Sequence, residues 1–134
     1  MPPVRAVAKS LGASQKRLKP ILDLVRGLRV EDALNSLSLL PSPWAKSLYK
    51  VVASAAANAE NNDGISSEEL YVTACYADEG PTMKRWRPRA RGRATRILKR
   101  TCHITIILAR YTPEELEECT RQMEFKKLKD DDMR

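Results

Sequence analysis

Residues 84–100 read KRWRPRARGRATRILKR, and the fold turns on how this run joins the segments on either side of it. The run holds nine basic residues (Lys84, Arg85, Arg87, Arg89, Arg91, Arg93, Arg96, Lys99 and Arg100) and no acidic one. Before it, Leu70, Val72, Ala74 and Tyr76 alternate with Tyr71, Thr73, Cys75 and Ala77, the period of two that marks a strand. After it, Cys102 to Ala109 is rich in β-branched residues, among them Ile104, Thr105, Ile106 and Ile107, and supplies a second strand. Gly80 and Pro81 stand at the base of the basic stretch, Pro88 and Gly92 near its middle. Two strands flanking such a stretch predict a β-hairpin arm over about residues 78–102. From Glu79 out and back to Ile97 the arm would reach roughly 30 Å at ~3.3 Å per strand residue. A body of this chain length has a radius of gyration of about 14 Å. The body cannot cover an arm of that length, so a partner must order it.

Charge says what kind of partner. The chain of 134 residues carries +7, yet removing the nine arm cations leaves 15 basic against 17 acidic residues. The whole excess therefore sits in 17 positions. The first 59 residues add a weaker surplus, nine basic against three acidic, and from Pro113 onward the sign reverses to eight acidic against five basic. Polarity of this kind argues for a polyanion met by one face and one arm.

From Arg85 to Arg93 an arginine stands at every second position. In an extended strand such residues share a face, which would form a ladder of guanidinium groups able to bond phosphates bidentately. Ala90, Gly92 and Ala94 between them are small and allow close approach, while Trp86 could stack on an exposed base. The run alone is equally compatible with a solvated loop, a nuclear-localisation signal or a disordered tract. The flanking strands favour RNA binding, because a localisation signal needs no hairpin.

The rest of the chain reads as a small body. Val4 to Lys9 alternate weakly, as a short edge strand would. Ser14 reads as a helix N-cap, with Leu18, Ile21, Leu22 and Val25 at helical spacing behind it and Gly27 closing the helix. Pro20 begins the regular part of that helix or bends it. Lys16, Arg17 and Lys19, with Arg26 and Arg29, form a second basic group there, either a solvated face or a phosphate contact. Val30 to Leu40 predicts a second helix. Ser42 and Pro43 open a third, running to about Glu60 with Trp44, Leu48, Val51, Val52 and Ala55 toward the core. Asn61 to Gly64 predicts a turn. Thr112 followed by Pro113, Glu114 and Glu115 caps a last helix to about Phe125, and Lys126 to Arg134 reads as a frayed, charged tail.

Other classes of protein find little support. The lone His103 and three cysteines (Cys75, Cys102, Cys119) lack metal-ligand spacing and provide no nucleophile–base set, so neither a metal, nor a cofactor, nor an enzyme is expected. His103 itself reads as a structural or RNA-contacting residue. No stretch approaches the ~20 apolar residues of a membrane span. Met1 to Ser10 has no signal-peptide core, and the lack of a transit segment favours a bacterial cytoplasm. A free regulatory or chaperone-like nucleic-acid-binding module stays open beside a structural ribonucleoprotein.

The stretches Arg26-Gly27, Ser54 to Asn61, Asp78-Glu79-Gly80-Pro81, Lys84-Arg85, Pro88 to Ala94 and Lys99 to Thr105 resemble, in order and spacing, the bacterial-type ribosomal protein L-twenty-two family of the large subunit. The resemblance covers roughly Val4 to Ala109. It implies an α+β fold: three helices packed on a small three-stranded antiparallel sheet, a long projecting β-hairpin and, in this chain, a C-terminal helical extension. Residues 1–110 would form the ribosomal domain with its arm, and 111–134 the extension. The resemblance further implies binding of large-subunit (23S-type) rRNA, contact with neighbouring ribosomal proteins and a role in subunit assembly. The arm's tip would line the nascent-peptide tunnel and meet the nascent peptide there. Carried onto this chain, that tip is Trp86, Arg87, Pro88, Arg89, Ala90, Arg91, Gly92 and Arg93. Lys84, Arg85, Arg87, Arg89, Arg91, Arg93, Arg96, Lys99, Arg100 and His103 would bind rRNA along the arm, and Lys16, Arg17, Lys19 and Arg26 from the body.

Overall fold

A computed structural model describes residues 3–133. Met1 and Pro2 of the opening segment and Arg134 of the expected tail lie outside the described residues. The chain is a mixed α+β protein: β1 (Val4–Leu11), α1 (Gln15–Val25), α2 (Val30–Leu39), α3 (Pro43–Asp63), β2 (Leu70–Glu79), β3 (Met83–Pro88), β4 (Ala94–Lys99), β5 (Cys102–Arg110) and α4 (Pro113–Asp132). One antiparallel sheet has the order β1-β5-β2, and β3 and β4 pair separately as a two-stranded ribbon.

The central strand β5 explains why the sheet forms. Cys102, Ile104, Ile106 and Leu108 alternate along it, and all four are fully buried on one face. Against that face pack Leu18, Leu22 and Val25 of α1, Val30, Ala33 and Leu37 of α2, and Leu48, Val52 and Ala55 of α3. Burying each such aliphatic side chain contributes about 1.5–3 kcal/mol. Small side chains at Ala45, Ala55 and Ala59 let α3 lie close to its neighbours, with every one of them fully buried. Trp44, expected inside, is only partly buried, and Ala45 takes the inward position.

Several expectations shift by a few residues for physical reasons. On β2 the inward set is Leu70, Val72 and Cys75, because the register slips between Val72 and Ala74. A bulge of this kind reverses the phase of a strand. At this place the α1–α2 loop bonds the strand's outer edge, Gly27 N–H to Val72 O at 3.0 Å and Val72 N–H to Leu28 O at 2.9 Å. Helix α3 runs through Asn61 and Asn62 to Asp63 rather than turning at Asn61. Gly64, at φ +66, then ends it with its N–H on the carbonyls of Ala59 and Glu60. Ser14 and Ser42 stand at the N-caps of α1 and α3, but neither hydroxyl makes a capping bond. Pro20 lies inside α1, which continues past it to Val25. Helix α4 extends to Asp132, so most of the expected frayed tail is helical. Its start is as anticipated: Glu115 N–H donates to Thr112 Oγ1 and Thr112 N–H to Glu115 Oε2, a reciprocal capping box. No helix among the described residues is long and apolar enough to cross a membrane.

Candidate nucleic-acid interface

The arm begins where β2 and β5 stop pairing, at Glu79 opposite Cys102. Its base is tied by backbone and side chain alike: Gly80 N–H donates to Thr101 O at 2.9 Å, and the Thr101 hydroxyl donates to Pro81 O. Arg100 pairs with Glu79 at 3.4 Å. Gly80 fits here because a Cβ would stand 2.7 Å from Thr101 Oγ1 and 3.2 Å from His103 Cε1. Thr101 lies in the Lys99 to Thr105 stretch, but nothing in that stretch assigned a role to this buried hydroxyl, which joins body and arm. We expect Gly80→Ala to lower stability by about 1–2 kcal/mol, within the usual range for a crowding substitution. It should also weaken rRNA binding several-fold at unchanged salt dependence, since it tilts the arm and removes no charge. Urea denaturation and salt-titrated binding curves check both halves.

Beyond the base, β3 and β4 pair Met83 with Lys99, Lys84 with Leu98, Arg85 with Ile97, Trp86 with Arg96, Arg87 with Thr95 and Pro88 with Ala94. Each cation of the ribbon thus faces an uncharged residue. A slip by one residue in one direction would set Arg85 against Arg96. A slip in the other would set Lys84 against Lys99 and Arg87 against Arg96. Like charges directly opposite are destabilising, so the charge pattern fixes the register. The native pairing also stacks the Arg96 guanidinium over the Trp86 ring, 5.1 Å from its centroid.

The guanidinium ladder is shorter than the sequence suggested. Arg85 and Arg87 share a ribbon face with Lys99, while Lys84 and Arg96 occupy the other. Alternation ends at Pro88, where the chain enters a turn closed by Arg89 N–H to Arg93 O at 2.6 Å. Arg91 and Gly92 in that turn take φ +60 and +68, so the tip fans Arg89, Arg91 and Arg93 apart instead of aligning them. Arg89 Nε also donates to Thr95 Oγ1 at 3.2 Å. Every residue from Met83 to Arg100 is exposed. Among the described residues, only Arg100 of the nine arm cations has a carboxylate within 4 Å. With cations on both faces and at the tip, the ribbon suits a polyanion that encloses it rather than one it lies upon.

The body adds a shorter basic edge. A groove at the arm's base is lined by Ser14, Arg17, Met83, Leu98, Lys99 and Arg100, and a neighbouring one by Lys16, Glu79, Arg100 and Thr101. The start of α1 therefore brings Lys16 and Arg17 beside the arm's root. Lys19 is exposed on the same helix. Arg26 is occupied within the fold, bonding Asp23 Oδ1 at 2.9 Å and the Cys75 carbonyl at 2.8 Å. His103 Nδ1 accepts from Ser10 N–H at 3.0 Å, which places the ring proton on Nε2. Ser10, at φ +57, sits in the irregular stretch of β1 that presents this N–H. Burial pushes the thiols of Cys75 and Cys102 up, which keeps them protonated and unreactive. No group of three or more His, Cys, Asp or Glu among the described residues is placed to hold a metal ion.

A protein-family model described as "Ribosomal protein L22p/L17e" matches residues 6–109, from within β1 through the whole arm to the penultimate residue of β5. Helix α4 lies outside the match.

Proposed function

The chain belongs to the L22p/L17e family of ribosomal proteins, and from that premise we propose that its arm threads through large-subunit rRNA and carries its tip to the nascent-peptide tunnel. Membership makes it a structural constituent of the large ribosomal subunit and an rRNA-binding protein, not an enzyme. The observation that supports the finer reading is an exposed ribbon with cations on both faces and at its tip, almost none of them paired with a carboxylate among the described residues. Charge of that density is held open only for a partner that neutralises it.

In this reading Lys84, Arg85, Arg87, Arg89, Arg91, Arg93, Arg96, Lys99 and Arg100 grip phosphates along the ribbon and its turn, with Lys16, Arg17 and Lys19 adding contacts from the body. His103 offers its Nε2–H at the root, and Arg26 contributes through the fold it braces. Trp86 to Arg93 forms the tunnel-side tip and touches the nascent peptide. Residues 1–110 act as the ribosomal domain and 111–134 as an extension, and a protein that joins distant rRNA segments in this way aids assembly in the cytoplasm. The test is sedimentation of a tagged chain from bacterial cells. It should co-migrate with large subunits and stay with them through a moderate-salt wash, whereas a free regulatory module would remain at the top of the gradient. A photo-crosslinking residue at position 91 should label a stalled nascent peptide; labelling of rRNA alone would overturn the tunnel assignment.

A further inference from the structure

Helix α4 is outside the matched family region and has a charge of the wrong sign for RNA. Its first two turns carry Glu114, Glu115, Glu117 and Glu118 with no cation among them. Not one of its 20 residues is buried. Long helices in proteins owe most of their stability to packing, so an uncovered one points to an absent partner. The residue just before its N-cap and one side chain within the helix tie it to the body. Tyr111 N–H donates to Glu69 O at 2.9 Å, the rings of Tyr71 and Tyr111 lie 4.5 Å apart, and Arg29 Nη1 reaches Met123 Sδ at 3.0 Å.

Between α4 and β2 this seating leaves an open cleft of about 350 Å³, lined by Tyr71, Thr73, Tyr111, Glu115, Glu118 and Gln122 among others. Two phenol rings beside two carboxylates form a setting for a guanidinium or ammonium group, which gains from the ring faces and from charged acceptors together. Burial and a bond with Cys119 push the Tyr111 phenol up to about 12 against the opposing pull of Arg29, which stands near it from the body side, so the phenol stays neutral and adds no charge of its own. Among the described residues neither Glu115 nor Glu118 has a cation within 4 Å. An RNA phosphate placed here would meet only repulsion from the helix's first half.

We propose that α4 and this cleft dock a basic segment of a neighbouring protein in the same subunit, with one Arg or Lys side chain held between Tyr71, Tyr111, Glu115 and Glu118. The identity of the neighbour rests on the ribosomal reading; the cation-binding chemistry of the cleft does not. The two are separated by using the free full-length chain and a fluorescein-labelled octa-arginine peptide. Fluorescence anisotropy should show binding that weakens about ten-fold in Glu115→Gln/Glu118→Gln, the size expected for two partly solvated charge contacts. Glu115→Gln keeps the capping-box acceptor, so the helix start survives. Tyr111→Leu should weaken binding again by several-fold, and Arg89→Gln/Arg91→Gln, in the arm, should not. No peptide binding, or affinity indifferent to the glutamates, overturns the site. A photo-crosslinking residue at position 122 in assembled subunits should then label an Arg- or Lys-rich stretch of polypeptide. Labelling of rRNA instead would overturn the choice of partner, whereas absence of the chain from subunits would overturn the ribosomal reading and leave the peptide result standing.

Discussion

Replacing Arg85, Arg87, Arg89, Arg91 and Arg93 together by glutamine should lower affinity for large-subunit rRNA by about a thousand-fold or more at ~0.1 M salt. The reasoning runs through counterions. Each phosphate contact contributes roughly 0.7–0.9 to the slope of log K against log salt, depending on whether the RNA is single- or double-stranded. At ~0.1 M salt, five contacts therefore carry about 3.5–4.5 log units relative to 1 M, and some will be partly replaced by water. The slope itself should become shallower by about four. Stability should hardly move, because these side chains are exposed and none has a carboxylate partner among the described residues. Filter binding over a series of salt concentrations, with thermal melts of the same samples, tests both statements. A loss under ten-fold at unchanged slope would mean that the arm's charge is not what holds the RNA.

The arm was legible because its signals are local: nine cations without an acid, strand periodicity on each side, Gly and Pro at the base. The core of β5 was legible for the same reason. What the sequence hid depends on distant partners. The bulge between Val72 and Ala74 follows from where the α1–α2 loop bonds β2, some 45 positions earlier in the chain, so the alternation seen through Ala74 and Tyr76 does not by itself say which residues face inward. The bond from Ser10 N–H to His103 spans 93 positions and leaves no trace in either neighbourhood. Arg26 looked like a phosphate ligand because its charge is visible, whereas the Cys75 carbonyl it braces is not. The alternating arginines invited a straight ladder, yet Arg91 and Gly92 both take left-handed conformations and turn the chain at the tip. Asn61 to Asp63 read as a turn on composition, but Gly64 just after them can adopt positive φ and cap, so the helix continues to it.

Ile106→Ala should have the largest effect on the body and a quite different signature. Ile106 is fully buried in the middle of the central strand, opposite Cys75 on one side and Ala6 on the other. Truncating such a side chain costs about 2–5 kcal/mol once the residual cavity is included. Domains of this size hold only about 5–15 kcal/mol of stability, so the melting midpoint should fall by about 10–25 °C. The salt slope of rRNA binding should not change, because all nine arm cations remain and the ribbon is exposed along its length. Apparent affinity should fall only when the folded fraction falls. Since RNA binds the folded form, a hundred-fold excess over its dissociation constant should restore about 2.7 kcal/mol and raise the midpoint again. The two variants therefore divide the molecule: one keeps the fold and loses the slope, the other keeps the slope and loses the fold. A loss of affinity in Ile106→Ala larger than the fall in folded fraction, still at unchanged slope, would show that the core also positions the arm, through the Gly80–Thr101 joint that is the covalent and hydrogen-bonded route between them.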